Sequence, residues 1–180
     1  MRRYVAFLRG MNIGGRRISN ADLRSRVAAL GFGEVATFRA SGNVIFVAEH
    51  GAPAQISARL EAGLREALGY EVPVFLRTVA EVREIAAAEP FAAAAMAASR
   101  GKLQVAFLLQ RPRAAARKRV LALATDADRL AIEGRELYWL PSGGISESEL
   151  DLKAIGAALG PTTIRTKGTI DRIAAKHPDA

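Results

Sequence analysis

The sequence predicts an α+β protein built from two ferredoxin-like (βαββαβ) halves, and three observations carry that prediction. The order strand, helix, strand, strand, helix, strand can be read twice along the chain. Short apolar runs bounded by glycine or polar turns alternate with stretches of helical period. With 180 residues, 50% of them hydrophobic, the chain is long enough to bury a proper core, as one domain or two small ones.

Taken in order, Arg3 to Arg9 alternates as a strand and Ala21 to Leu30 is an amphipathic helix ended by Gly31. Glu34 to Arg39 and Val44 to Ala48 are strands joined by Ala40-Ser41-Gly42-Asn43, a turn in which Gly or Asn supplies a positive φ. Ile56 to Leu68 puts Ile56, Leu60, Leu64 and Leu68 on one helical face, with Gly69 as its cap, and Val72 to Arg77 is the fourth strand. Val79 to Ala88 reads as a linking helix and Pro90 to Gly101 as an irregular or weakly helical connector.

The plan then recurs. Leu103 to Leu109 is a strand, Ala114 to Ala124 a helix, and Arg129 to Glu133 and Glu136 to Leu140 a hairpin turned by Gly134-Arg135. Glu147 to Leu159 is a helix opened by a Ser146/Glu149 capping box, Thr162 to Arg165 a strand, and Thr169 to Ala175 a closing helix. The halves are therefore expected at 1–100 and 101–180, each followed by an extra helix. In the first strand Val5 and Phe7 share one face and Ala6 and Leu8 the other, so neither face suits water and the halves are expected to pack as one compact body.

Composition narrows the function. Without cysteine, thiol chemistry and thiolate metal sites are excluded. No signal segment or membrane span is legible, which predicts a cytoplasmic location. The formal charge of +8 is uneven, residues 1–40 carrying eight basic and two acidic groups, which suits a polyanionic partner. Against that, 21 of the 26 basic residues are arginine in an alanine-rich chain, and a basic solvated face is the commoner result of such a bias.

The most informative stretch is Leu8-Arg9-Gly10-Met11-Asn12-Ile13-Gly14-Gly15-Arg16-Arg17, between the first strand and the first helix. Three glycines in six residues let the backbone take positive φ and approach a ligand closely, and Arg9, Arg16 and Arg17 ring the turn with positive charge. Gly10 and Gly15 have P-loop spacing, but Arg16 and Arg17 stand where Lys and Ser or Thr would reach phosphate and Mg²⁺. Arginine forks onto phosphate and ligates no metal. Ser19 with Asp22 reads as a helix N-cap, taking amides that an anion would otherwise use. In a ferredoxin-like sheet this loop lies beside Ser41-Gly42-Asn43. At one end of the second half, Pro141 to Ile145 should lie beside Arg165 to Thr169.

These motifs give the chain a resemblance to domain-of-unknown-function family 1697, small bacterial proteins with a leading LRGxNxGG motif and a later SGN motif. The resemblance also takes in Leu23 to Val35, Pro90-Phe91, Val105 to Leu108, Pro141 to Leu150 and Thr163 to Ile170. It implies an intracellular α+β fold with an internal ferredoxin-like duplication, and it brings no activity. Its motif positions fall on Arg9, Asn12, Gly14, Gly15, Ser41, Gly42, Asn43, Gly143 and Thr169. The chain departs from the family at Ser148-Glu149-Leu150, where Ser-Lys-Leu is common, and at Arg165-Thr166-Lys167-Gly168-Thr169, where a tryptophan is common.

The catalytic inventory is thin. His50 and His177 lack neighbouring carboxylates and are expected in solvent, and Asp126 and Asp128 read as turn chemistry. Ser41 has no evident base, and Asn12 and Asn43 orient ligands without acting as bases. The stacking aromatics of RNA-recognition motifs are missing: Tyr4 and Phe7 point opposite ways, and of Tyr138 and Trp139 one should point inward and one outward. The reading is a protein that binds a phosphate-bearing or anionic ligand, a small molecule or nucleic acid, through Arg9, Asn12, Gly14, Gly15, Arg16, Ser41, Gly42 and Asn43. Gly143, Arg165, Lys167 and Thr169 are secondary candidates, and no metal or cofactor is implied. The alternatives are a small-molecule enzyme with a composite site between the halves, and motifs that only brace turns.

Overall fold

The first repeat consists of β1 (Arg2–Leu8), α1 (Asn20–Ala29), β2 (Gly33–Thr37), β3 (Asn43–Ala48), α2 (Pro53–Leu68) and β4 (Val74–Thr78). Helices α3 (Val79–Ala87) and α4 (Ala93–Ala98) follow. The second repeat is β5 (Gln104–Leu108), α5 (Ala114–Leu121), β6 (Asp128–Glu133), β7 (Glu136–Pro141), α6 (Leu152–Leu159) and β8 (Thr162–Thr166), with α7 (Lys167–Lys176) last. This is a computed structural model, and it describes residues 1–11, 18–39 and 42–177.

Each repeat forms a four-stranded antiparallel sheet, in the orders β2-β3-β1-β4 and β6-β7-β5-β8. Equivalent strands hold equivalent places, so the duplication extends from element order to topology. The chain divides into two compact units, Met1–Arg83 together with the stretch from Ile173, and Glu84–Arg172.

In the first unit, Tyr4, Ala6 and Leu8 of β1 meet Leu23 and Val27 of α1 and Ile56, Leu60 and Leu64 of α2. The 3.6-residue spacing of these helical positions supplies the apolar stripe that covers the sheet. Leu60 and Leu64 are wholly buried, and either one cut to alanine would cost about 2–5 kcal/mol. The other face of β1 is buried as well, with Val5 and Phe7 both inaccessible, as expected of a strand apolar on both sides. The smaller second core joins Ala106, Val120, Ile132, Leu137 and Ile155.

Ser19 caps α1, its side chain accepting the Asp22 amide at 3.0 Å. Helix α2 starts at Pro53, three residues before the apolar periodicity does, because proline pre-sets the first helical φ and Gln55 Oε1 accepts the Ala52 amide. The expected helix from Glu147 is corrected. Ile145–Glu147 is a single 3₁₀ turn and α6 begins at Leu152, capped by Asp151, which accepts the Ala154 amide at 2.8 Å. The Ser146/Glu149 box does not open this helix. Ser148 instead donates to Asp128 and accepts the Leu150 amide, which holds the chain extended past the predicted start.

Candidate anion-binding site

At the end of β1 the backbone is hydrogen-bonded on both sides. The Leu8 amide donates to the Gly42 carbonyl at 2.7 Å and the Arg9 amide to the Pro73 carbonyl at 3.2 Å. The two sequence motifs are thereby brought together at one sheet end, with the Arg9 side chain exposed at the junction. Gly10 adopts φ +77° and Met11 turns back into the core.

Gly42 and Asn43 act from inside the fold. Gly42 has φ +70°, and a Cβ there would stand 2.9 Å from Met11 Cγ and 3.1 Å from Leu8 Cβ. Asn43 is fully buried, pairs across from Phe7, and donates from Nδ2 to the Phe38 carbonyl at 2.9 Å while its own carbonyl accepts the Phe38 amide. Both bonds span the turn between β2 and β3. The turn carries positive charge: Arg39, at φ +59°, is exposed, and its guanidinium and the Lys176 ammonium lie 5.9 and 5.5 Å from the Phe38 ring centre. Asn12, Gly14, Gly15, Arg16 and Ser41 lie outside the described residues.

The secondary candidates gather at the opposite end of the second sheet, where Trp139 and Thr166 both pair with Gln104. Arg165 Nη1 donates to Thr163 Oγ1 and to the Ile164 carbonyl, both at 2.8 Å, and burial pushes its pKa down to about 10. Lys167 bonds the Ala86 carbonyl and Asp171, and Thr169 shares a hydroxyl contact with Thr166 at the start of α7. Gly143 lines an open cavity of about 930 Å³ with Asp126, Glu147, Glu149 and Asp151 around it. Carboxylates dominate that cavity, the reverse of an anion site. Among the described residues no cluster of His, Asp or Glu could hold a metal ion, and no helix is long and apolar enough to cross a membrane.

Two side chains take roles that the sequence reading missed. Asp128 is buried, and its Oδ1 accepts both Trp139 Nε1 at 2.6 Å and Ser148 Oγ at 2.8 Å; it is a structural hub as well as a turn residue. Hairpin register was the available signal, since Asp128 faces Pro141 and so lies diagonal to Trp139. Tyr138 and Trp139 are both buried, correcting the expectation that one faces outward. The Tyr138 phenol is pushed above its usual range by burial and then by Glu136 and Glu133. His50 is exposed as expected, whereas His177 is half-buried.

Two antiparallel βαββαβ repeats, with polar loops gathered at the ends of their central strands, define a duplicated ferredoxin-like protein. A family model described as "Protein of unknown function (DUF1697)" matches residues 1–138, and the chain belongs to that family. In fold it is similar to the conserved bacterial protein SP0830 from Streptococcus pneumoniae, with a TM-score of 0.71 over 98% of each chain at 20% sequence identity. No curated protein matches the chain.

Proposed function

We propose that the protein binds a phosphate-bearing or otherwise anionic ligand at the end of β1, where the glycine-rich loop begins. The observation that carries this reading is the Leu8–Gly42 hydrogen bond, which ties the two motif loops together with Arg9 exposed at the tie. Arg39 and Lys176 add positive charge at the neighbouring turn, and the planar guanidinium fork suits two oxygens of a tetrahedral phosphate. In this reading Arg9, Arg16 and Arg39 supply charge, the amides of Gly14 and Gly15 donate, and Asn12 and Ser41 orient the ligand. Gly42 and Asn43 set the shape of the turn.

The bracing role of Asn43 has its own support in its burial and its bond to Phe38, and it separates experimentally from binding. Calorimetric titration of inorganic phosphate, nucleoside mono- and triphosphates and short oligonucleotides into wild type, Arg9→Ala, Arg39→Ala and Asn43→Ala is the test. Binding that is lost in Arg9→Ala at an unchanged melting temperature supports the site. If every probe binds Arg9→Ala and Arg39→Ala as it binds wild type, the reading fails and the motifs only brace turns.

A further inference from the structure

The second repeat carries a cationic surface that the first-loop reading does not use. Between Glu89 and Asp126 the chain has seven basic residues and no acidic one. Five of them, Arg111, Arg113, Arg117, Lys118 and Arg119, lie on the loop after β5 and on α5, and all five are exposed. Arg117 donates to the Ile132 carbonyl at 2.9 Å. No carboxylate among the described residues pairs with Arg111, Arg113, Lys118 or Arg119.

That arrangement is costly to the isolated helix. Arg113 and Arg117 are a like-charged i,i+4 pair, which weakens the helix that carries it, and Arg117-Lys118-Arg119 adds a run of three exposed cations. Helix α5 has no acidic residue to offset them. A polyanion would relieve the repulsion. The loop also holds an equivalent place to the glycine-rich loop, because the Leu108 amide donates to the Arg135 carbonyl of the β6–β7 turn at 2.9 Å, as Leu8 does to Gly42. The duplication therefore leaves a basic strand-to-helix loop in both halves.

We infer that the β5–α5 loop and α5 dock the phosphate backbone of a double-stranded nucleic acid, without reading its sequence. Four of the five cations are arginine, which forks onto phosphate oxygens. An anionic membrane fits less well, since the outward residues of α5 are cations and alanines and the helix offers no large apolar side chain for insertion. Base recognition by stacking has no platform here, as the tyrosine and tryptophan of β7 are buried. The inference is independent of the first-loop site, with which it shares no residue.

The test is fluorescence anisotropy of a short random-sequence DNA duplex against the full-length protein over a range of salt. The triple variant Arg113→Gln/Lys118→Gln/Arg119→Gln is compared with the charge-matched Arg2→Gln/Arg24→Gln/Arg26→Gln, whose α1 positions are equally exposed, and thermal melts check that both are folded. Three lost phosphate contacts should weaken binding at low salt by at least about tenfold and flatten the log–log salt dependence by about 3, with the other triple near wild type. Equal loss in both triples reduces the effect to net charge and overturns the assignment. So does a wild type that leaves the duplex free, or one that binds phosphatidylserine vesicles in its place.

Discussion

Arg77 and Arg165 hold the same position in the two repeats. Each is the next-to-last residue of its sheet's outer strand, each stands opposite a buried valine of the central strand, Val5 or Val105, and each donates from Nη1 to the carbonyl of the residue before it at 2.8 Å. Each is followed by a threonine that ends the strand, Thr78 or Thr166. A guanidinium kept in the same place in both halves, buried at Arg77 and half-buried at Arg165, is a structural part of the repeat.

Truncating such a group strands what it served. Arg77, which is 1% exposed, should cost about 2–5 kcal/mol as Arg77→Ala, from the cavity and from the Leu76 carbonyl left without its donor, and less as the volume-keeping Arg77→Met. Urea unfolding of the three proteins gives the comparison. With its pKa pushed down only to about 10, Arg165 is charged in both folded and unfolded chains at neutral pH. Arg165→Met should therefore leave the slope of stability against pH unchanged there.

Gly42→Ala and Gly69→Ala separate backbone strain from steric conflict. Both glycines are left-handed, at φ +70° and +76°, but a Cβ at Gly69 meets nothing within 4 Å whereas one at Gly42 meets Met11 and Leu8. Gly69→Ala should cost about 1 kcal/mol, and Gly42→Ala a further 1–3 kcal/mol, roughly, from overpacking. Melting temperatures of the pair read the difference directly.

Asp128 should behave as an anchor for the chain after β7. Trp139→Phe and Ser148→Ala each remove one donor from its Oδ1, at about 1–3 kcal/mol apiece. Because both donors converge on one oxygen, their effects should be non-additive in a double-mutant cycle. Proteolysis between Ser142 and Asp151 should quicken most in Ser148→Ala, whose hydroxyl also holds the Leu150 amide.

His177 gives a pH dependence of definite sign. Burial first, then Arg3 and Lys176, lower its pKa below the ordinary 6.5. Above that value the imidazole is neutral in folded and unfolded chains alike. As pH falls through it, the unfolded chain takes up the proton first, so stability declines on the acid side. His177→Gln should flatten the fall in melting temperature as pH drops below about 6.5, measured by differential scanning calorimetry.

The fold was largely legible because its signals are local. The apolar alternation of β1, the leucine stripe of α2 and the Gly134-Arg135 turn each state their element without help from distant residues. The start of α6 was not legible, because Ser148 serves Asp128, twenty residues back in the chain, and that long-range bond outweighs a local capping pattern. Of the candidate site, the convergence of the β1 and β3 ends followed from topology. The inward role of Asn43 did not, since a polar residue beside a glycine turn reads equally as a ligand contact or a brace until its burial is known. The basic face of α5 was not singled out in the sequence, because the acidic residues from Asp126 onward dilute its charge, and its exposure and lack of carboxylate partners among the described residues are what set it apart.

Trp139 is the chain's single tryptophan, and it lies in the unit from Glu84 to Arg172. Its fluorescence therefore follows the unfolding of one repeat, while circular dichroism of the two sheets follows both. Coincident curves from the two probes would mean that the duplicated halves melt as one cooperative unit, and separated curves that each is a folding unit of its own. The repeated architecture thus carries an internal reporter of how far its two halves behave as one thermodynamic body.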